Sequence, residues 1–154
     1  MLRLSKLTDY GTVIMTFMAR SPERVYTARE ITDQVHVALP TVSKVLKLLA
    51  QEDLLVSYRG ASGGYRLARA PREISVARII SALEGPIGLT ECSFSPGLCN
   101  YEPSCAIRPN WQWINSAILA TLERITLAEM AQPAVLAQAL EVKMPDAPAR
   151  SSTL

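Results

Sequence analysis

Apolar residues recur at helical spacing near the start of the chain, at Tyr10, Val13, Ile14, Phe17 and Met18. The pattern predicts an amphipathic helix from near Thr8 to a stop before Pro22. Thr27-Ala28-Arg29-Glu30 then has the form of a capping box, in which hydroxyl and carboxylate satisfy each other's orphan amides. Tyr26 and Ile31 flank it at the spacing of a hydrophobic staple. This second helix is short and ends around His36. Pro40 suits the first turn of a third helix, whose buried stripe is Val42, Val45, Leu46 and Leu49. Its opposite face shows Thr41, Ser43, Lys44 and Lys47.

After Asp53 the period changes to that of strands. Leu54 to Tyr58 and Tyr65-Arg66-Leu67 flank a turn through Arg59-Gly60-Ala61-Ser62-Gly63-Gly64, and this predicts a hairpin. Three helices followed by a glycine-turned hairpin is the order of a winged helix-turn-helix, although the same order occurs in proteins that never touch DNA. Ser75 is placed to cap a further helix, with Ile74 and Ile79 as its staple and Gly85-Pro86 as its end. A long helix is expected from Pro109 to about Gln132, with Trp111, Ile114, Ile118, Leu122 and Ile125 along one face. That stripe fits a pairing seam with a second copy of the chain or packing on its own domain.

The expected fold is therefore mostly α with a small β wing. Residues 1–72 form the winged helix-turn-helix and 73–86 a connecting helix. Residues 87–105 form a cysteine loop, 106–132 a dimerisation helix, and 133–154 a partly disordered tail. At 154 residues and 49% apolar content, the chain can bury a core without covalent staples.

Charge separates the two halves. Residues 1–72 hold eleven Lys/Arg against six Asp/Glu, a balance of +5, whereas the remainder holds five against eight, a balance of −3. The basic half is the one with the reading-head pattern, which points to double-stranded DNA, although a solvated charged face has the same composition. Lys44 is placed to reach a guanine edge and Lys47 a phosphate, with Thr41 and Ser43 as further donors. Arg59, beside Gly60 at the slim wing tip, suits a narrow minor groove. The wing glycines lack the lysine and following helix of a phosphate-binding loop. Arg3 and Lys6 precede an apolar run, but Asp9 and Tyr10 interrupt it and no small-x-small cleavage pattern follows. No apolar stretch reaches the roughly 18 residues that span a bilayer. The expectation is a soluble, cytoplasmic chain with no membrane partner.

All three cysteines, Cys92, Cys99 and Cys105, fall within fourteen residues. Three thiols cannot all pair within one chain, and Pro96, Gly97, Asn100, Pro103 and Ser104 surround them with loop formers rather than core formers. Thiolates are the ligands of iron-sulfur clusters and of zinc, so the loop is a candidate metal centre. A structural zinc site that holds a loop for protein interaction, with no DNA role, is the contrasting possibility. No carboxylate pair or nucleophile-histidine arrangement suggests an enzyme. His36 is the only histidine, and it suits the carboxy end of the second helix.

Leu4-Ser5-Lys6-Leu7-Thr8-Asp9-Tyr10, the wing sequence Leu54 to Tyr65 and the cysteine triad resemble the bacterial winged-helix regulators that carry iron-sulfur clusters. That family includes the iron-sulfur assembly regulator and the nitric-oxide-sensing repressor. Cys105-Ala106-Ile107-Arg108-Pro109-Asn110-Trp111 and Ala128-Glu129-Met130 are most similar to the branch regulating the SUF assembly system. The resemblance covers about residues 1–132. It implies a homodimer with crossed long helices, and wings and third helices on DNA. It also implies one cluster per subunit, of two-iron or four-iron type, on Cys92, Cys99 and Cys105. The implied role is repression of assembly genes, with a nitric-oxide or redox sensor as the alternative. Arg108 stands where the assembly regulator has a histidine ligand, and a guanidinium cannot serve as one. In the nitric-oxide sensor the fourth ligand is an aspartate from the partner subunit, and Asp9 is at the matching position. Asp9 is equally a favourable helix amino-terminal charge.

Overall fold

A computed structural model describes residues 3–132. The tail expected after Pro133 lies outside the described residues. Helix α1 (Lys6–Met18) starts two residues ahead of expectation, because the Ser5 hydroxyl accepts from the Thr8 amide and serves as its cap. Helix α2 (Ala28–Val35) begins at the anticipated capping box: Thr27 Oγ1 accepts from Glu30 N–H, and Glu30 Oε2 accepts from Thr27 N–H at 2.8 Å. It ends on His36, which takes a left-handed conformation (φ 56°) as its carboxy-terminal cap. Helix α3 (Leu39–Gln51) carries Pro40 in its first turn.

Strands β1 (Leu55–Tyr58) and β2 (Gly64–Leu67) pair antiparallel, with Leu55 opposite Leu67 and Tyr58 opposite Gly64. Tyr26 and Tyr65 exchange two backbone hydrogen bonds of 2.8 Å, which fasten the wing to the residue before the α2 cap. Gly64 is required there, since a Cβ would collide with the Tyr26 carbonyl. The wing is thus indexed to the helix-turn-helix by backbone bonds as well as by packing.

Helix α4 (Val76–Glu84) is capped by Ser75 as expected, and short α5 (Glu91–Phe94) lies in the cysteine loop. Ile14, Met15 and Met18 of α1, Ile31 of α2, Val42, Val45, Leu46 and Leu49 of α3, and Ile79 of α4 form one core with Leu54, Leu55 and Leu67. Each such side chain contributes about 1.5–3 kcal/mol relative to exposure. The buried face of α3 holds its polar face outward.

The long helix expected to run to about Gln132 is divided. Helix α6 spans Arg108–Arg124, Ile125 turns to extended backbone, and short α7 covers Leu127–Met130. A second capping box, Thr126 with Glu129, starts the new helix. The break is held by tertiary bonds: Val76 N–H donates to Ile125 O and Leu127 N–H to Ile74 O, both at 2.8 Å. Leu127 enters the same core as α1 to α4.

Candidate functional site

Two sets of residues stand apart. The first is the prospective DNA face. Lys44 and Lys47 are exposed on α3, with Thr41 and Ser43 half-buried beside them. Arg59 and Gly60 are exposed at the wing tip, where Gly60 has φ 99° and open space around it. Along the wing, Arg66 is engaged: its Nη1 lies 2.8 Å from Glu23 Oε2, and its guanidinium stands 5.8 Å from the Tyr58 ring centroid. Arg24 is similarly spoken for, by Glu30 at 2.9 Å and the Tyr26 ring at 4.7 Å. The Arg66–Glu23 pair ties β2 to the segment before α2, and Arg59 has no such partner among the ion pairs of the described residues.

The second set is the loop between α4 and α6. Cys92, Cys99 and Cys105 are free thiols, each half-buried. Cys92 sits in α5, with Thr90 Oγ1 at 3.2 Å from its sulfur. Cys99 borders a recess of about 410 Å³ whose lining includes Asn100, Glu102 and Arg108. Cys105 precedes α6 by three residues. Glu102 pairs with Arg108 at 2.5 Å and accepts from Gly97 N–H at 2.7 Å.

Asn115 is the buried polar residue of α6, and it reaches back to the start of the loop. Its Oδ1 accepts from Leu89 N–H at 3.0 Å and its Nδ2 donates to Ile87 O at 3.5 Å. Neither Glu102 nor Asn115 was among the residues singled out from sequence. A signal for Glu102 existed, since it is the only carboxylate between Cys92 and Cys105.

The donors match an iron-sulfur centre in kind: three thiols unclaimed by disulfides, in a loop free of competing core contacts. They do not converge. Among the described residues no three His, Cys, Asp or Glu side chains gather at metal-binding spacing. Asp9 is exposed in the first turn of α1 and is not brought to the thiols within one chain. Arg108 is occupied with Glu102, which accords with its inability to coordinate.

One further contact joins the end of α4, where the cysteine loop begins, to the head of α1. Glu84, the last residue of α4, accepts from the buried Thr8 hydroxyl and from Ser5 N–H (2.7 Å) at the head of α1. These bonds, the Thr8 hydroxyl first, hold the Glu84 carboxyl below its ordinary range. A Cβ on buried Gly11 would collide with Leu83, so α1 and α4 meet closely here.

The outer face of α6 is open. Trp113, Ile114, Ala117, Ile118, Thr121 and Leu122 line a shallow apolar groove, and Trp113 is 69% exposed. Among the described residues no helix is long and apolar enough to cross a membrane.

Three helices, a paired wing and an exposed polar face on the third helix define a winged-helix DNA-binding regulator. The chain belongs to the Rrf2 family, described as iron-dependent transcriptional regulators, whose pattern it matches over residues 4–133. It is similar to CymR, the global cysteine regulator of B. subtilis, at 28% identity over 86% of this chain and 98% of that one, with a TM-score of 0.68. T. potens IscR is 31% identical over 89% of this chain and 91% of that one, with a TM-score of 0.64. An oxidized form of Staphylococcus aureus CymR is 25% identical over 85% and 97% of the two chains, with a TM-score of 0.62. Family and neighbours are transcription regulators rather than enzymes.

Proposed function

We propose that the chain is a homodimeric, cytoplasmic repressor of iron-sulfur assembly genes whose DNA affinity is set by a cluster on Cys92, Cys99 and Cys105. Asp9 of the partner subunit supplies the fourth ligand. The observation that carries this is three free, half-buried thiols in one loop between α4 and α6 of an Rrf2 chain 31% identical to T. potens IscR. Bound there, the cluster supplies net charge and a redox-active centre. The chain's own residues do the rest. Cys92, Cys99 and Cys105 would hold the cluster and so tie the loop together, and the loop's two ends are the carboxy end of α4 and the first turn of α6. Helix α4 packs on α1 and α3, so a shift at the loop reaches the reading head through packed helices.

On DNA, Thr41, Ser43, Lys44 and Lys47 face the major groove, and Arg59 with Gly60 approaches the minor groove. The apolar groove on α6 pairs with its symmetry mate, giving two reading heads.

Anaerobic purification with visible spectroscopy and iron and sulfide analysis tests the proposal. We expect a coloured protein that loses iron and sulfide on replacement of any one of the three cysteines by Ala, with the helical fold kept. Full iron and sulfide in all three variants would contradict it. A specific observation favours one second reading. The similarity to an oxidized S. aureus CymR suits thiol-based redox control without a cluster, and a colourless protein whose DNA affinity still changes with thiol oxidation would select it. A colourless protein with stoichiometric zinc would select the structural zinc site.

A further inference from the structure

One carboxylate closes both arms of the loop. Glu102 is 10% exposed at its side chain, and its two oxygens have different partners: Oε1 forms an ion pair with Arg108 Nη2 (2.5 Å) and Oε2 accepts from Gly97 N–H (2.7 Å). The ion pair and the hydrogen bond close two consecutive chain rings. Gly97 to Glu102 encloses Cys99, and Glu102 to Arg108 encloses Cys105. Cys92 lies outside both, held by Thr90 and by the limb that Asn115 fastens to α6.

A carboxylate is suited to this place because it alone among side chains offers two acceptor oxygens and a charge for the guanidinium. Its burial is tolerable only while both partners hold, since an unpaired buried charge is costly. Pro103, directly after it, is the second residue of the short 3-10 turn Glu102–Ser104 that leads to Cys105.

We infer that Glu102 is a positioning residue that holds Cys99 and Cys105 as a pair, with Arg108 as its anchor, and leaves Cys92 as an independently held thiol. The consequence for cluster retention rests on the function proposed above. The positioning itself is measurable without any cluster. Arg108, unable to coordinate, acquires a role in organising the thiols that do.

The test is pulse alkylation of the full-length, reduced, cluster-free protein with N-ethylmaleimide, each thiol read separately by mass spectrometry. Glu102→Ala is expected to speed Cys99 and Cys105 on the order of tenfold, the equivalent of about 1.4 kcal/mol. Cys92 should be unchanged. Arg108→Ala should speed Cys105 in particular, and the double variant should be no faster than Glu102→Ala alone, because Glu102→Ala already removes the Arg108 pair. Glu102→Gln, which keeps an acceptor for Gly97 N–H, should restore part of the protection. Equal acceleration at all three thiols, or none at any, overturns the inference. In cluster-loaded protein, Glu102→Ala should shorten cluster lifetime without moving the absorption bands. Shifted bands with unchanged alkylation would make Glu102 a direct ligand and overturn the positioning role. A wild-type protein that never holds a cluster, yet shows the paired alkylation pattern, removes the proposed cofactor and leaves Glu102's role standing.

Discussion

From Ile14 to Ile79 the reading module buries aliphatic side chains from every one of its helices, whereas no apolar side chain between Ile80 and Asn115 joins the buried core. The module is stabilised by many apolar contacts shared among its helices and wing. The cysteine loop is held by a handful of polar ties, among them Asn115 to Leu89, Thr90 to Cys92, and Glu102 to Gly97 and Arg108. The difference sets a stiff reading module beside a loop held mainly by polar contacts. A loop with no apolar core of its own can change shape at little cost to the fold, and its ends lie on α4 and α6.

The largest effect is expected at Leu127, the one residue beyond the loop, among the described residues, that enters the buried core. Leu127→Ala should cost about 2–5 kcal/mol of stability in chemical denaturation and release α7 from the Ile74 backbone. Leu98→Ala, in the loop at 54% exposure, should cost under about 0.5 kcal/mol. Comparable destabilisation at the two sites would mean that the loop is structurally part of the core.

Next in size are the effects on DNA. Arg59→Ala, if Arg59 enters a minor groove, should cost about 1–3 kcal/mol and lower discrimination at an A·T-rich step. Lys47→Ala should weaken all sequences alike and flatten the salt dependence by about one unit of slope for each phosphate that is no longer neutralised. Binding isotherms on specific and random duplexes separate the two. Equal weakening of both duplexes by Arg59→Ala would mean that its guanidinium meets the backbone and reads no base step.

The reading module was also the more legible half, for a physical reason. Its signals are local: Thr27 with Glu30, Ser75 with Arg78 N–H, and Pro40 at the head of α3 each act within one helical turn. The break at Ile125 was missed because its causes are remote. The stripe through Ile125 continues helical spacing, and only the bonds to Ile74 and Val76 and the burial of Leu127 interrupt it. Asn115 gave no signal, since its partners lie more than twenty residues away. The cysteines announced the loop, but the ties that hold it depend on how α6 folds back.

The smallest expected effect is that of acid. Thr27's amide and hydroxyl hold Glu30 below the ordinary value of 4.5, and the Thr8 hydroxyl and Ser5 amide do the same for Glu84. Folded values below the unfolded one mean stability that is present above about pH 4.5 and lost as pH falls through the folded values. Thermal denaturation from pH 7 towards pH 4 should therefore show a modest decline, reduced in Glu84→Gln. A rise in stability over that range would contradict the assignment.

The most direct measurement is the affinity of anaerobically purified, cluster-loaded protein for its promoter DNA, repeated on the same sample after the cluster is removed by chelation under reducing conditions. We expect specific affinity to change by at least about tenfold, equivalent to about 1.4 kcal/mol, while affinity for random duplex stays the same. Identical specific affinities before and after removal would contradict the central claim that the cysteine loop governs the reading head.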